Sequence, residues 1–255
     1  MNKQTTTAIL SVVLFSLLFT RPAAAGSWTV VTVDALPLHV EVGEPIKISF
    51  LVQQHGIHPL VLSEGAVAVN ARHTVTGRAI AARATMAGAP GQYTVELIFP
   101  IEGVWAWQIQ PGSFPPATMP ELKVSAAVDR RPIATPANRD WAPWEAVVWQ
   151  LLAYVRPQPA VAAPVNADWA ADSVAYGKAL FVAKGCVTCH VHSAARADFS
   201  LQVGPDLTHY RVIPEYVTIW LRDPKSIKPQ TPMPNLHLQD AEIEALVAFL
   251  SAGAK

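Results

Sequence analysis

Residues 186–190 read Cys-Val-Thr-Cys-His, and Cys186 and Cys189 are the only cysteines in this chain of 255 residues. The run Cys-x-x-Cys-His is the attachment sequence of a c-type haem. Two thiols one helical turn apart can form thioethers with the two vinyl groups of one porphyrin. His190 follows directly, where its imidazole can bind the iron from one face of the ring. The stretch therefore predicts one covalently attached haem c and a helical module around it.

Two other kinds of site use cysteines at this spacing, and both fit this sequence less well. A thioredoxin-like dithiol needs no following histidine and lies near a βαβ pattern, which this sequence lacks. A structural zinc site is closed by four ligands, and the chain has no second pair of cysteines to supply them. Haem attachment explains the pattern best, with zinc and a redox dithiol as the alternatives.

The composition is that of a folded protein without a charge bias. Hydrophobic residues make up 51% of the chain and charged residues 15%, which favours well-formed cores over disorder. The 19 basic and 19 acidic residues give a formal net charge of zero. Nothing in the charge therefore points to nucleic acid or to an anionic membrane surface as a partner.

Residues 1–25 have the pattern of a secretory signal. Lys3 gives a positive start, residues 8–19 are mainly apolar, and the alanines at 23–25 form a small-residue cleavage site before Gly26. A membrane-spanning helix needs about 20 apolar residues, so this run is short for a permanent anchor. We expect an exported protein in the periplasm or another extracytoplasmic space, with an uncleaved anchor as the alternative.

Residues 26–127 have the pattern of an antiparallel β-sandwich. Apolar side chains alternate with their neighbours along three stretches, residues 46–52, 93–99 and 105–109. This two-residue period, interrupted by turns that contain glycine and proline, predicts about seven short strands. Residues 90–107 resemble the small immunoglobulin-like sandwiches of the YtkA-like and FixH-like periplasmic families. That resemblance implies an accessory or assembly role and no catalytic residues.

Residues 128–170 are interpreted as a connector. They contain six prolines, which stiffen the ends, and four of the eight tryptophans in the chain. Residues 144–155 predict a short helix that starts after Pro143. So much aromatic surface is expected to pack against the chain's own domains, and contact with a partner or a membrane interface is the alternative.

Residues 171–255 have a helical pattern around the Cys-Val-Thr-Cys-His sequence. We predict helices over about 173–184, about 214–222 and from 240 onward. Ser173 is the expected N-cap of the first helix. Gly177 lies inside that helix, although glycine costs about 1 kcal/mol relative to alanine in a helix. This predicts the close approach of another helix, for which the last helix is the candidate.

This C-terminal module closely resembles the class I c-type cytochromes. The matching pieces occur in the family's order: Gly177 with Phe181, then residues 184–190, 204–207, 220–224, 232–234 and 246–250. The resemblance implies a multidomain chain in which an all-α cytochrome c fold follows the all-β sandwich. It also implies His190 as the proximal iron ligand and Met233 as the distal ligand. The Pro205 carbonyl is then expected to accept the other ring N–H of His190 and so to orient the ring, and Trp220 is expected near the haem edge.

The position of Met233 in the sequence makes it a candidate distal ligand even without the family resemblance. It is the only methionine of the C-terminal module, and it lies between two prolines, 43 residues beyond His190. Core packing is the ordinary role of a lone methionine. His237 is the credible alternative ligand and His209 is another competitor. His192 lies too close to His190 to reach the opposite face of the ring easily.

These features predict an electron carrier and no enzyme, since a haem with histidine and methionine ligands has no open position for a substrate. Expected partners are redox proteins of a respiratory or photosynthetic chain. One alternative is a haem-bearing subunit of a membrane oxidoreductase, docked through sandwich and connector and attached to the membrane by the connector or an uncleaved N-terminus. Another is a copper-handling accessory protein, in which His55 and His58 share a metal ion with Met86 as a soft donor.

Overall fold

The computed structural model describes residues 28–127, 172–195, 200–201, 203–210 and 213–252. The predicted signal sequence (1–25) and the predicted connector (128–170) lie outside the described residues, so the predictions about them stay predictions. Within the described part of the chain, no helix is long and apolar enough to cross a membrane.

The described N-terminal part consists of two antiparallel sheets of five strands each. The strands are β1 (Thr29–Val33), β2 (Pro45–Gln54), β3 (His58–Pro59), β4 (Val67–His73), β5 (Ala79–Arg83), β6 (Thr85–Met86), β7 (Gln92–Ile98), β8 (Gly103–Pro111), β9 (Ala117–Thr118) and β10 (Leu122–Val124). The first sheet has the order β1-β2-β7-β6 with β3 paired to β2, and the second has the order β10-β8-β4-β5 with β9 paired to β8. The predicted all-β class is confirmed. Seven of these strands have three or more residues, and β3, β6 and β9 have two each.

The alternating residues of β2, β7 and β8 form the core between the sheets. Phe50, Trp105 and Phe99, which directly follows β7, are fully buried, because side chains two positions apart on extended backbone point to the same face. The rings of Phe99 and Trp105 meet edge to face at 5.2 Å. Burial of one such side chain contributes roughly 1.5–3 kcal/mol. The indole N–H of Trp105 donates to the carbonyl of Ile101 at 3.2 Å, so the polar atom is paired as well.

The described C-terminal part is helical, with α1 (Ser173–Ala183), α2 (Cys186–Cys189), α3 (Pro214–Arg222), α4 (Pro224–Ile227) and α5 (Asp240–Ala252). The bounds of α3 are those predicted. The predicted cap of α1 is wrong, because the N-cap is Asp172 and not Ser173. The Asp172 carboxylate accepts hydrogen bonds from the backbone N–H of Val174 at 2.8 Å and of Ala175 at 3.3 Å. A carboxylate at this place also interacts favourably with the helix dipole.

Gly177 is where α1 crosses α5. A Cβ atom added at Gly177 would lie 1.9 Å from the carbonyl oxygen of Ala245 and 2.8 Å from the Cβ of Phe249. Any side chain here would push the two helices apart, so the close approach outweighs the poor helix propensity of glycine. The predicted contact between the first and last helices is confirmed.

The helical module is packed against the sandwich at β1. The α1 helix contacts β1, and buried apolar residues of both parts belong to one continuous cluster. Because α2 follows α1 directly, the Cys-Val-Thr-Cys-His sequence lies beside the sandwich.

Candidate functional site

The two cysteines lie at the two ends of α2, which is a single helical turn. Gly185 precedes this turn with a φ of 77°, a left-handed conformation that glycine adopts without strain. Neither cysteine is part of a disulfide, and both are half-buried. Burial raises the pKa of the Cys186 thiol to about 12 and also raises the pKa of Cys189. Residues three positions apart on a helix share one side of it, so both thiols are available to one flat ligand.

His190 ends α2 and is held by the segment that contains Gly204 and Pro205. The Nδ1 atom of His190 donates to the carbonyl oxygen of Pro205 at 3.0 Å. A Cβ atom at Gly204 would lie 2.3 Å from the Cε1 of His190, so only glycine lets the chain run this close to the ring. The backbone N–H of Gly204 donates to the carbonyl of Cys189 at 2.8 Å. Because Nδ1 carries the proton, the lone pair of Nε2 is left to bind a metal.

Met233 lies in the segment between α4 and α5, and its sulfur is hydrogen-bonded. The indole Nε1–H of Trp220, on α3, donates to the Sδ of Met233 at 3.0 Å. The backbone N–H of Met233 donates to the hydroxyl of Thr231 at 3.2 Å. The ring of Tyr216 lies 6.1 Å from that of Trp220. The thioether is therefore held in one orientation by α3 and by its own loop.

The competing histidines lie elsewhere in the module. His192 is buried between aromatic rings, 5.8 Å from Phe181 on α1 and 4.4 Å from Phe249 on α5. Burial lowers the pKa of His192, because it disfavours the charged form of the ring. His237 is exposed and has a φ of 50°, and its backbone N–H donates to the Asn235 side chain.

The histidines of the sandwich do not form a metal-binding site among the described residues. His55 packs against Trp28 with ring centroids 5.5 Å apart. His58 on β3 and Met86 on β6 are exposed. Among the described residues, no group of three or more His, Cys, Asp or Glu side chains is placed to hold a metal ion.

The residues around α2 fit a covalently bound haem. The two thiols lie on one turn, His190 has one nitrogen anchored and the other left as a ligand, and Gly204 lets the chain pass close to the imidazole. Through backbone hydrogen bonds and the His190 anchor, the structure brings together Cys186, Cys189, His190 and Pro205. It places Met233 with Trp220, and no described hydrogen bond joins Met233 to His190.

Two contacts of this site are absent from the sequence predictions. They are the approach of Gly204 to the His190 ring and the hydrogen bond from Trp220 to Met233. Both residues lie in stretches that match the class I cytochrome pattern. That match is the only signal in the sequence for either contact, because both depend on how distant segments pack.

The residues of this site, from Cys186 to Met233, lie in one continuous part of the sequence. Residues 174–253 match the Cytochrome c family. The match begins in α1 and extends past the end of α5, so it covers the helical module and leaves the sandwich unmatched. Members of this family bind haem c covalently. The helical module is therefore a cytochrome c domain of a haem-bearing electron-transfer protein.

No curated protein matches this chain. Among solved structures, the Lin-41 filamin domain is 15% identical over 37% of this chain and 90% of that domain, with a TM-score of 0.26. Domains 1–6 of the surface layer protein SbsC are 18% identical over 43% of this chain and 14% of that structure, with a TM-score of 0.30. At these TM-scores the two similarities support no conclusion about fold or function.

Proposed function

We propose that this chain is an exported cytochrome that transfers single electrons through one haem attached at α2. The observation that carries the proposal is the anchored His190, whose Nδ1 donates to the Pro205 carbonyl at 3.0 Å directly after the two thiols of α2. When bound, the haem supplies an iron that gains and loses one electron. The residues of the chain hold this group and set how readily it accepts the electron.

Each of the predicted site residues has a definite part in this proposal. Cys186 and Cys189 hold the porphyrin through thioethers, and Nε2 of His190 binds the iron on the proximal side. Met233 supplies the distal sulfur. The Trp220 N–H uses one lone pair of that sulfur at 3.0 Å and leaves the other for the metal. Pro205 keeps the proton on Nδ1 of His190, so Nε2 stays available as a ligand.

Ligands on both faces leave no open position at the iron, so we propose a carrier and not an enzyme. The signal-like residues 1–25 support export to the periplasm or another extracytoplasmic space. We further propose redox proteins of a respiratory or photosynthetic chain as partners. A haem-bearing subunit of a membrane oxidoreductase is the second candidate, and the firm contact between the sandwich and the cytochrome domain favours it because both parts would dock as one body.

We propose an accessory role for the sandwich, because residues 90–107 resemble the YtkA-like and FixH-like families. Copper handling has less support, because His58 and Met86 are exposed and His55 packs on Trp28.

A spectroscopic redox titration of the purified protein with its haem tests the proposal. We expect one reversible transition that follows a one-electron Nernst curve. We also expect no spectral change when carbon monoxide is added to the reduced protein, because both axial positions are filled. Rapid carbon monoxide binding, or a transition of more than one electron, would contradict a six-coordinate electron carrier.

A further inference from the structure

The β1 strand is an edge strand that is buried on both faces. Val31 and Val33 are opposite Val52 and Phe50 of β2 and face the core of the sandwich. Adjacent residues of a strand point to opposite faces, so Val30 and Thr32 face outward. An outward face of an antiparallel sheet is commonly exposed to water, yet Val30 is only 4% exposed and Thr32 only 7%. Another part of the chain covers them.

The segment that joins α1 to α2 is part of this cover, and Val30 also lies near Gly56. A Cβ atom at Gly185 would lie 2.6 Å from the Cγ1 of Val30 and 2.9 Å from the carbonyl oxygen of Val31. The hydroxyl of Thr32 donates to the carbonyl of Lys184 at 3.4 Å. The residues directly before the first haem cysteine therefore lie on the outer face of β1.

Lys184 fixes this contact with a buried charge. Its ammonium donates to the backbone carbonyl of Asp34, just beyond β1, at 2.8 Å. The same Nζ atom lies 2.8 Å from Oε1 of Glu242 on α5, and the two side chains are only 4% and 8% exposed. Burial of two charges is costly unless their partners are well placed. Few orientations of the cytochrome domain against β1 let Nζ of Lys184 contact both the Asp34 carbonyl and Glu242. This joint between the two domains therefore favours one relative orientation.

The second sheet also reaches the haem-bearing turn. Residues 115–119, which include β9, line a small cleft together with Thr29 and Val31. Val187 and Thr188, the two residues between the haem cysteines, line the same cleft. The turn therefore lies at the open edge of the sandwich, where it meets both sheets.

We propose that the sandwich is a permanent internal partner of the cytochrome domain. The sandwich covers the outer side of the haem-bearing turn and closes that side to other proteins. This rests on the proposed function, since Cys186 and Cys189 must carry the haem. A surface that is nearly inaccessible to water is also inaccessible to another protein. Redox partners must then approach the haem from another side, and the sandwich sets the direction of docking.

Hydrogen exchange of the full chain with its haem, read by mass spectrometry, tests the proposal with Val30→Asp. A carboxylate on the outer face of β1 can reach water only if the joint opens. We expect exchange to become at least about tenfold faster in residues 29–34, 117–119 and 184–190. The matched control is Val75→Asp, at a position that is 86% exposed, and it should leave these segments unchanged. A combined Lys184→Met and Glu242→Gln variant removes both charges of the joint together and should give the same local increase.

The haem spectrum and the intact mass of each variant show whether the haem is still attached. If it is attached and the three segments exchange as in the wild type, the cover does not exist in solution and the proposal is wrong. Faster exchange in residues 29–34 and 117–119 with residues 184–190 unchanged would also overturn it, because the haem-bearing turn would then not lie under the sandwich. Loss of covalent haem from the wild type would instead contradict the proposed function.

Discussion

Replacement of Cys186 and Cys189 together by serine should leave a chain with no covalently bound haem. The hydroxyl of serine does not form the thioether that holds the porphyrin, and these are the only cysteines in the chain. The haem of the double variant should then depend on axial ligands alone and be removed completely by acidic organic extraction. The measurement is the amount of haem that remains on the protein band of a denaturing gel.

Thr188→Ser is the matched control, because it changes the same turn without touching a sulfur. This variant should keep its haem through extraction, as the wild type does. Free extraction of haem from the wild type would show that α2 makes no thioether bond.

Replacement of Met233 by alanine should remove the weak near-infrared band that reports sulfur ligation to ferric iron, while the haem stays attached. The reduction potential should also fall by on the order of 0.1 V, within the range of about 0.8 V that axial ligands span, because methionine favours the reduced iron. The Trp220 N–H would lose its acceptor at the same time. Near-infrared spectroscopy of the oxidised protein and a redox titration measure the two effects.

His237→Ala is the control for Met233→Ala, since His237 is the alternative distal ligand that the sequence offers. It should leave both the band and the potential unchanged, because His237 is exposed. A band that survives in Met233→Ala and disappears in His237→Ala would reverse the assignment.

The features that the sequence predicts well are local ones. The alternation in β2, β7 and β8 depends on neighbours two positions apart, and the buried faces are those expected, with Phe50 and Trp105 inside. The position of Gly177 predicts a helix crossing, because glycine destabilises a helix and is favoured inside one only where another segment packs closely. The error at the start of α1 is also local, since Asp172 and Ser173 are both good caps and only the observed hydrogen bonds distinguish them.

The features that the sequence does not predict join residues that are far apart along the chain. Lys184 meets the carbonyl of Asp34 across 150 positions, and no periodicity records such a pairing. The approach of Gly204 to the His190 ring and the bond from Trp220 to Met233 likewise depend on tertiary packing. Two-residue strands such as β3 and β9 are too short to produce a pattern of their own.

The intact mass of the purified protein, measured under denaturing conditions, shows whether α2 carries a covalent haem. We expect a chain heavier than its polypeptide by the mass of one haem, with the added mass on the proteolytic peptide that contains both Cys186 and Cys189. A chain of unmodified mass with two titratable thiols, from cells that attach haem to other cytochromes, would contradict it.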